Sequence, residues 1–123
     1  MLRKTMWLFL WGAMVMSCQG QKDSSIQIVD KTHIKSEVIG KEVQLIDVRT
    51  PKEFDAGHIE GAVNFNIADA ATFLEQLATL DKNKPVYLYC KLGGRSGKAA
   101  QILKKEGFTN IFDYSGGYQD WSH

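Results

Sequence analysis

From Ile26 onward, short runs of β-branched and apolar residues alternate with stretches in which apolar residues recur every three or four positions. Gln44 to Val48 and Pro85 to Tyr89 are compact apolar runs of strand length, the pattern of strands buried on both faces of a parallel sheet. Ile26 to Val29, Ala62 to Phe65 and Asn110 to Phe112 predict three weaker strands. Between them, Ile34, Val38 and Ile39 share one helical face with Gly40 as a C-terminal stop. Thr50-Pro51-Lys52-Glu53 reads as a capping box with proline at the first helical position, and it predicts a short helix through Ala56 that ends at Gly57. Phe73, Leu74, Leu77 and Leu80 predict a helix that buries one stripe. A further helix is expected from Ser96 to Glu106, with Ala99, Ile102 and Leu103 inward, Gly107 in the left-handed cap position and Phe108 packing back on Leu103. This alternation predicts an α/β fold, an open sheet with helices on both faces. Ligands in such sheets bind beyond the carboxyl ends of the strands.

The first residues follow another logic. Arg3 and Lys4 precede an apolar run from Met6 to Met16, which is the charged and hydrophobic pattern of an export signal. The run is roughly half of the ~20 apolar residues that a membrane-spanning helix requires, so residues 1–17 are expected to be a signal peptide. Val15-Met16-Ser17-Cys18 resembles a bacterial lipobox, although Met16 stands where that motif has a smaller residue. The resemblance implies lipidation at Cys18, residues 18–25 as a polar tether, and export to the periplasmic face of a bacterial membrane. An uncleaved signal anchor or ordinary cleavage nearby is the alternative.

Composition narrows the choice of function. The 123 residues are 44% hydrophobic and 24% charged, which allows a single domain, residues 26–123. Fifteen basic against 14 acidic residues give a formal net charge of +1, and no block of five basic residues occurs, so nucleic acid is not an expected partner. No feature of the sequence requires an oligomer, and a monomer is expected. His33, His58 and His123 have no metal-ligand spacing, and no metal is expected. His58 is better suited to a hydrogen bond that fixes a turn.

With Cys18 acylated, Cys90 is the sole free thiol, and no internal disulfide is available. It ends the most hydrophobic strand and opens the segment Cys90-Lys91-Leu92-Gly93-Gly94-Arg95-Ser96. A thiol attacks as its thiolate, which cations and helix N-termini favour. Gly93 and Gly94 allow consecutive amides to turn inward as an anion nest, the following helix adds its positive end, and Arg95 and Lys91 add cations. Arg95 at a helix start opposes the helix dipole and so calls for an anion nearby. The plain alternative is a buried cysteine beside an ordinary turn. Asp47 and Arg49 straddle a strand end and border the possible cleft, though a structural pairing of Arg49 with Glu53 or Asp47 is the simpler reading. Tyr114, Tyr118 and Trp121 read as core or cleft wall, and Gly116-Gly117 as a tight turn.

Four segments resemble the rhodanese homology domain, in the same order. They are Leu45 to Phe54, Gly57 to Ala62, Tyr89 to Ser96, and Tyr114 to Tyr118 with Trp121. The resemblance implies a five-stranded parallel sheet and Cys90 as a nucleophile in a loop of residues 90–95. It further implies a small sulfur-containing anion such as thiosulfate as donor, cyanide or a thiol as acceptor, a persulfide intermediate, and no cofactor. Because the chain stops two residues past Trp121, a short last helix is expected. Two other functions compete. Phosphatases and arsenate reductases of related fold carry a cysteine and an arginine at the ends of an anion loop, but only four residues lie between Cys90 and Arg95, where the phosphatase pattern has five. A persulfide-carrying or partner-binding module without turnover is the second. Thioredoxin-like exchange is disfavoured, because no second cysteine lies near Cys90.

Overall fold

The computed structural model describes residues 26–123. In chain order the elements are β1 (Ile26–Val29), α1 (Lys31–Glu37), β2 (Gln44–Asp47), α2 (Pro51–Ala56), β3 (Val63–Asn64), α3 (Ala70–Leu77), β4 (Val86–Tyr89), α4 (Gly94–Lys105), β5 (Ile111–Tyr114) and α5 (Gly117–Trp121). The five strands form one sheet in the order β1-β5-β4-β2-β3, and every neighbouring pair is parallel. The predicted export signal, Cys18 and tether lie outside the described residues.

The continuous apolar strands separate into two faces with period two. From β4 and the residue that follows it, Val86, Leu88 and Cys90 face a core shared with Phe73, Leu77, Ala99 and Leu103 of α3 and α4. Tyr87 and Tyr89 face a second core with Ile34, Val38, Ile59 and Tyr114, against which Tyr118 and Trp121 also pack. Helices therefore cover both sheet faces, as predicted. The topology also fixes where the strands part. From β2 the chain moves outward to β3, then crosses to β4 and continues the other way to β5. The carboxyl ends of β2 and β4, where Asp47 pairs in register with Tyr89, thus form the switch point of the sheet.

Local signals account for the element ends. Thr50 accepts from the Glu53 amide at 3.2 Å while Glu53 Oε1 accepts from the Thr50 amide at 3.1 Å, which completes the capping box. At the end of α4, Phe108 N donates to Leu103 O at 3.0 Å and Gly107 N to Lys104 O at 3.2 Å, with Gly107 at φ 97°, the bonding of a Schellman ending. Three expectations are corrected. Leu74 is 46% exposed rather than inward, because the buried stripe of α3 runs through Phe73 and Leu77 alone. Strand β3 is only two residues long, since it is an edge strand bonded on one side. Helix α4 starts at Gly94, two residues earlier than expected, because Gly93 in the left-handed region supplies the turn that begins it.

Candidate active site

Cys90 follows β4 with 1% of its surface exposed, its sulfur lying at the amino end of α4. The chain must turn sharply there, and Gly93 makes the turn at φ 100°. A Cβ on Gly93 would stand 2.7 Å from Ser115 O, so both backbone angle and packing require glycine. The turn brings the Gly93 amide to 3.0 Å from Cys90 Sγ, where it donates to sulfur. The Ser96 hydroxyl completes the floor: Cys90 Sγ donates to Ser96 Oγ at 3.6 Å, and Ser96 Oγ donates to Gly93 O at 3.3 Å. The expected ring of several amides is represented, among the described residues, by this one amide with a hydroxyl. Gly94 is not part of a left-handed nest. Its φ is not positive and a Cβ there would meet nothing within 4 Å, because it is already the first residue of α4.

The carbonyls of the same segment are held away from the sulfur by α5. Tyr118 N donates to Cys90 O at 2.8 Å and Gln119 N to Lys91 O at 3.2 Å. This close approach depends on Gly117, at φ 67°, whose Cβ would stand 2.6 Å from Cys90 O and closer still to Lys91 O. The sequence signalled a Gly-Gly turn, but not that one of these glycines serves as the seat of the thiol segment.

Arg95 does find an anion, and it is Glu53 on α2. Its two terminal nitrogens donate to the two carboxylate oxygens at 2.7 and 3.0 Å. The hydrogen bond from Arg95 is the main cause that holds the Glu53 carboxyl down at about 2, with burial opposing and Thr50 assisting. The reciprocal bond raises Arg95 above its ordinary value, with burial acting against it and the Glu53 and Cys90 charges adding to the rise. Arg95 is thus a brace between α2 and the thiol segment, rather than a fork closed on the sulfur. The dipole reasoning pointed to an anion, but a partner 42 residues earlier leaves no local pattern.

Asp47 and Arg49 form the structural pair. Both are buried, and Asp47 accepts from the Arg49 amide, Nε and terminal nitrogen, the last at 2.6 Å. Arg49 also donates to Gly57 O at 2.7 Å and lies 4.6 Å from the centre of the Tyr118 ring, so it ties β2 to α2 and α5. Burial works to lower the Arg49 value, and the Asp47 hydrogen bond and charge overcome it, for a net rise. Of the two partners considered from sequence, Asp47 is the one observed. His58 fixes the turn after α2, with Nδ1 at 2.9 Å from Phe54 O and its ring stacked on Phe54 at 3.7 Å. Tyr89 is fully buried. Burial is the main cause that raises its phenol well above the ordinary value, and its oxygen accepts from the Ile59 amide at 3.0 Å.

A cavity of about 340 Å3 opens over the thiol, lined by Cys90, Lys91, Leu92, Gly94, Arg95 and Lys98. Lys98 was not singled out from sequence. A smaller hollow of about 230 Å3 adjoins it through Lys91, between Arg49, Glu53 and Tyr118. A larger hollow, about 630 Å3 between β1 and the Tyr114 to Asp120 segment, contains no thiol. Among the described residues no three of His, Cys, Asp and Glu come close enough together to hold a metal ion.

The family model for the rhodanese-like domain matches residues 30–123. An uncharacterised protein of Bacillus subtilis, YqhL, is 46% identical over 81 residues, which cover 66% of this chain and 62% of that one, so the match spans less than two thirds of YqhL. A thiosulfate sulfurtransferase of Shewanella oneidensis, GlpE, is 36% identical over 95 residues, 77% of this chain and 85% of its own. Among solved structures, a rhodanese-like domain protein of Staphylococcus aureus superposes with a TM-score of 0.68 at 28% identity, covering 77% of this chain and 90% of that one.

Proposed function

The chain belongs to the rhodanese-like domain family, and from that membership we propose that it is a sulfurtransferase carrying sulfane sulfur on Cys90 as a persulfide. The observation that carries this reading is the short amide-to-sulfur contact, Gly93 N to Cys90 Sγ at 3.0 Å, under an open cavity bearing three cations. In the first step the Cys90 thiolate attacks the outer sulfur of a donor such as thiosulfate. A sulfur–sulfur bond forms to Cys90, the donor's own bond to that sulfur breaks, and sulfite or a thiolate leaves with the electron pair. In the second step cyanide or a thiolate attacks the terminal sulfur and returns Cys90 as thiolate. Charge passes onto and off the terminal sulfur in both steps, and preorganised donors at that position lower both barriers. Gly93 N–H supplies such a donor at the thiol, the Ser96 hydroxyl holds the Gly93 carbonyl in place, and Gly117 and Arg95 hold the segment in the shape that presents the amide.

Steady-state production of thiocyanate from thiosulfate and cyanide tests the reading. Turnover that disappears in Cys90→Ser is expected, whereas stoichiometric uptake without turnover would favour a persulfide-carrying module instead. Hydrolysis of an aryl phosphate that disappears in the same variant would favour the phosphatase alternative.

The exported location belongs to the same proposal. Arg3, Lys4 and the Met6 to Met16 run motivate it, with Cys18 as the lipid attachment and the periplasmic face of a bacterial membrane as the site. Metabolic labelling with palmitate is expected for the wild type and not for Cys18→Ser; equal labelling of both would overturn it.

A further inference from the structure

We propose that Lys98, together with the bare backbone at Gly94, forms a subsite for the body of an organic donor: a persulfide whose parent thiol carries a carboxylate. The proposal rests on the sulfurtransferase reading and narrows its donor class.

Four observations support it. Arg95 is committed to Glu53 through both terminal nitrogens, which leaves Lys91 and Lys98 as the cations of the cavity without a carboxylate partner among the described residues. Lys98 lies four residues after Gly94 on α4, hence on the same helical face and one turn farther from the sulfur. Gly94 itself is unexplained by folding. Unlike Gly93, it has neither a positive φ nor a neighbour that a Cβ would strike. What glycine does there is leave open surface between Leu92 and Lys98. Finally, a cavity of about 340 Å3 exceeds what a small inorganic anion fills and falls within the range of sites for organic ligands. Leu92, 70% exposed at its rim, offers an apolar wall, and no acidic residue lines it. An organic stem would lie over Gly94 against Leu92, with its carboxylate at the Lys98 ammonium and its sulfane sulfur at Cys90.

The step balances without a further reactant. The Cys90 thiolate attacks the terminal sulfur of R–S–SH, the new sulfur–sulfur bond forms, the R–S bond to that sulfur breaks, and the thiolate R–S⁻ leaves with the electron pair. The proton stays on the transferred sulfur or passes to water.

Mercaptopropionate persulfide and cysteamine persulfide test the subsite, as they deliver the same sulfur from thiols of opposite charge. The wild type is expected to show a KM about fivefold lower for the mercaptopropionate donor, the size of effect that one solvent-exposed ion pair gives. Lys98→Glu is expected to invert that preference, with the change falling in KM. Gly94→Ala is expected to melt at the wild-type temperature and to raise KM for both donors. Wild-type preference retained in Lys98→Glu, or wild-type KM values in Gly94→Ala, would overturn the subsite while leaving sulfur transfer standing. Failure of the wild type to take sulfur from either donor while it turns over thiosulfate would likewise overturn the subsite, and failure with thiosulfate as well would overturn the reading on which it rests.

Discussion

Two arginine–carboxylate pairs flank the thiol segment, nearly equal in length and opposite in character. Arg49 and Asp47 meet at 2.6 Å with side chains 4% and 0% exposed, whereas Arg95 and Glu53 meet at 2.7 Å with 37% and 30% exposed. The distance is therefore uninformative, and burial decides what each pair does. Removing one partner of a buried pair leaves an uncompensated charge in a poorly solvated place, so the Asp47 pair is bound up with the fold itself. Water screens the Glu53 pair, and its net contribution to stability is small. What it contributes instead is position: it ties α2 to the residue that follows the two loop glycines.

The comparison can be tested in order of expected effect. Asp47→Ala should cost about 3–5 kcal/mol of stability, as is typical when a buried pair is broken, and denaturant unfolding would read it. A loss below about 1 kcal/mol would show that Arg49 is solvated after all. Gly117→Ala should cost about 1–3 kcal/mol as an overpacked contact, because its Cβ meets the Cys90 and Lys91 carbonyls. It should also reduce the rate of sulfur uptake at Cys90 more than its stability loss explains, since the bonds from Tyr118 N and Gln119 N that seat the Cys90 and Lys91 carbonyls would shift. Glu53→Gln should cost no more than about 1 kcal/mol, yet lower the rate of sulfur uptake through the freed Arg95.

The pH dependence separates the pairs further. Glu53 is held at about 2 when folded, below its ordinary value, so the stability it contributes is complete above about pH 4.5 and is lost as pH falls toward 2. Wild type and Glu53→Gln should therefore converge in stability across that window. Burial raises the Asp113 carboxyl, with a Ser96 hydrogen bond opposing, so its contribution has the other sign. Stability from its neutral form is present below the unfolded value and is lost as pH rises through the folded one, and one of its oxygens is buried without a partner. Asp113→Asn should flatten that upper limb. The smallest effect is expected from salt: raising ionic strength should shrink the Glu53→Gln stability difference and leave that of Asp47→Ala nearly unchanged.

The same contrast marks how much could be read from the chain. Periodicity and caps were sufficient for the sheet, because burial on both faces and end signals such as Thr50-Pro51-Lys52-Glu53 are written locally. The place of Cys90 after β4 was legible as well, since a strand end followed by two glycines and an arginine constrains what the backbone does next. Long-range choices were less so. Arg49 had two nearby carboxylates in sequence, and only the curl of β2 into α2 selected Asp47. Arg95 asked for an anion that proved to be on another helix. Gly94 and Gly117 shared the same letter as their neighbours, but one leaves space and the other fills it closely, a difference visible only when the opposing segment is in place.

Intact-mass measurement of the protein after exposure to sulfane donors, thiosulfate and an organic persulfide among them, tests the assignment of Cys90 most directly. A gain of a single sulfur in the wild type and none in Cys90→Ser is the predicted result. The same gain in both proteins, or no gain from any donor, would contradict it.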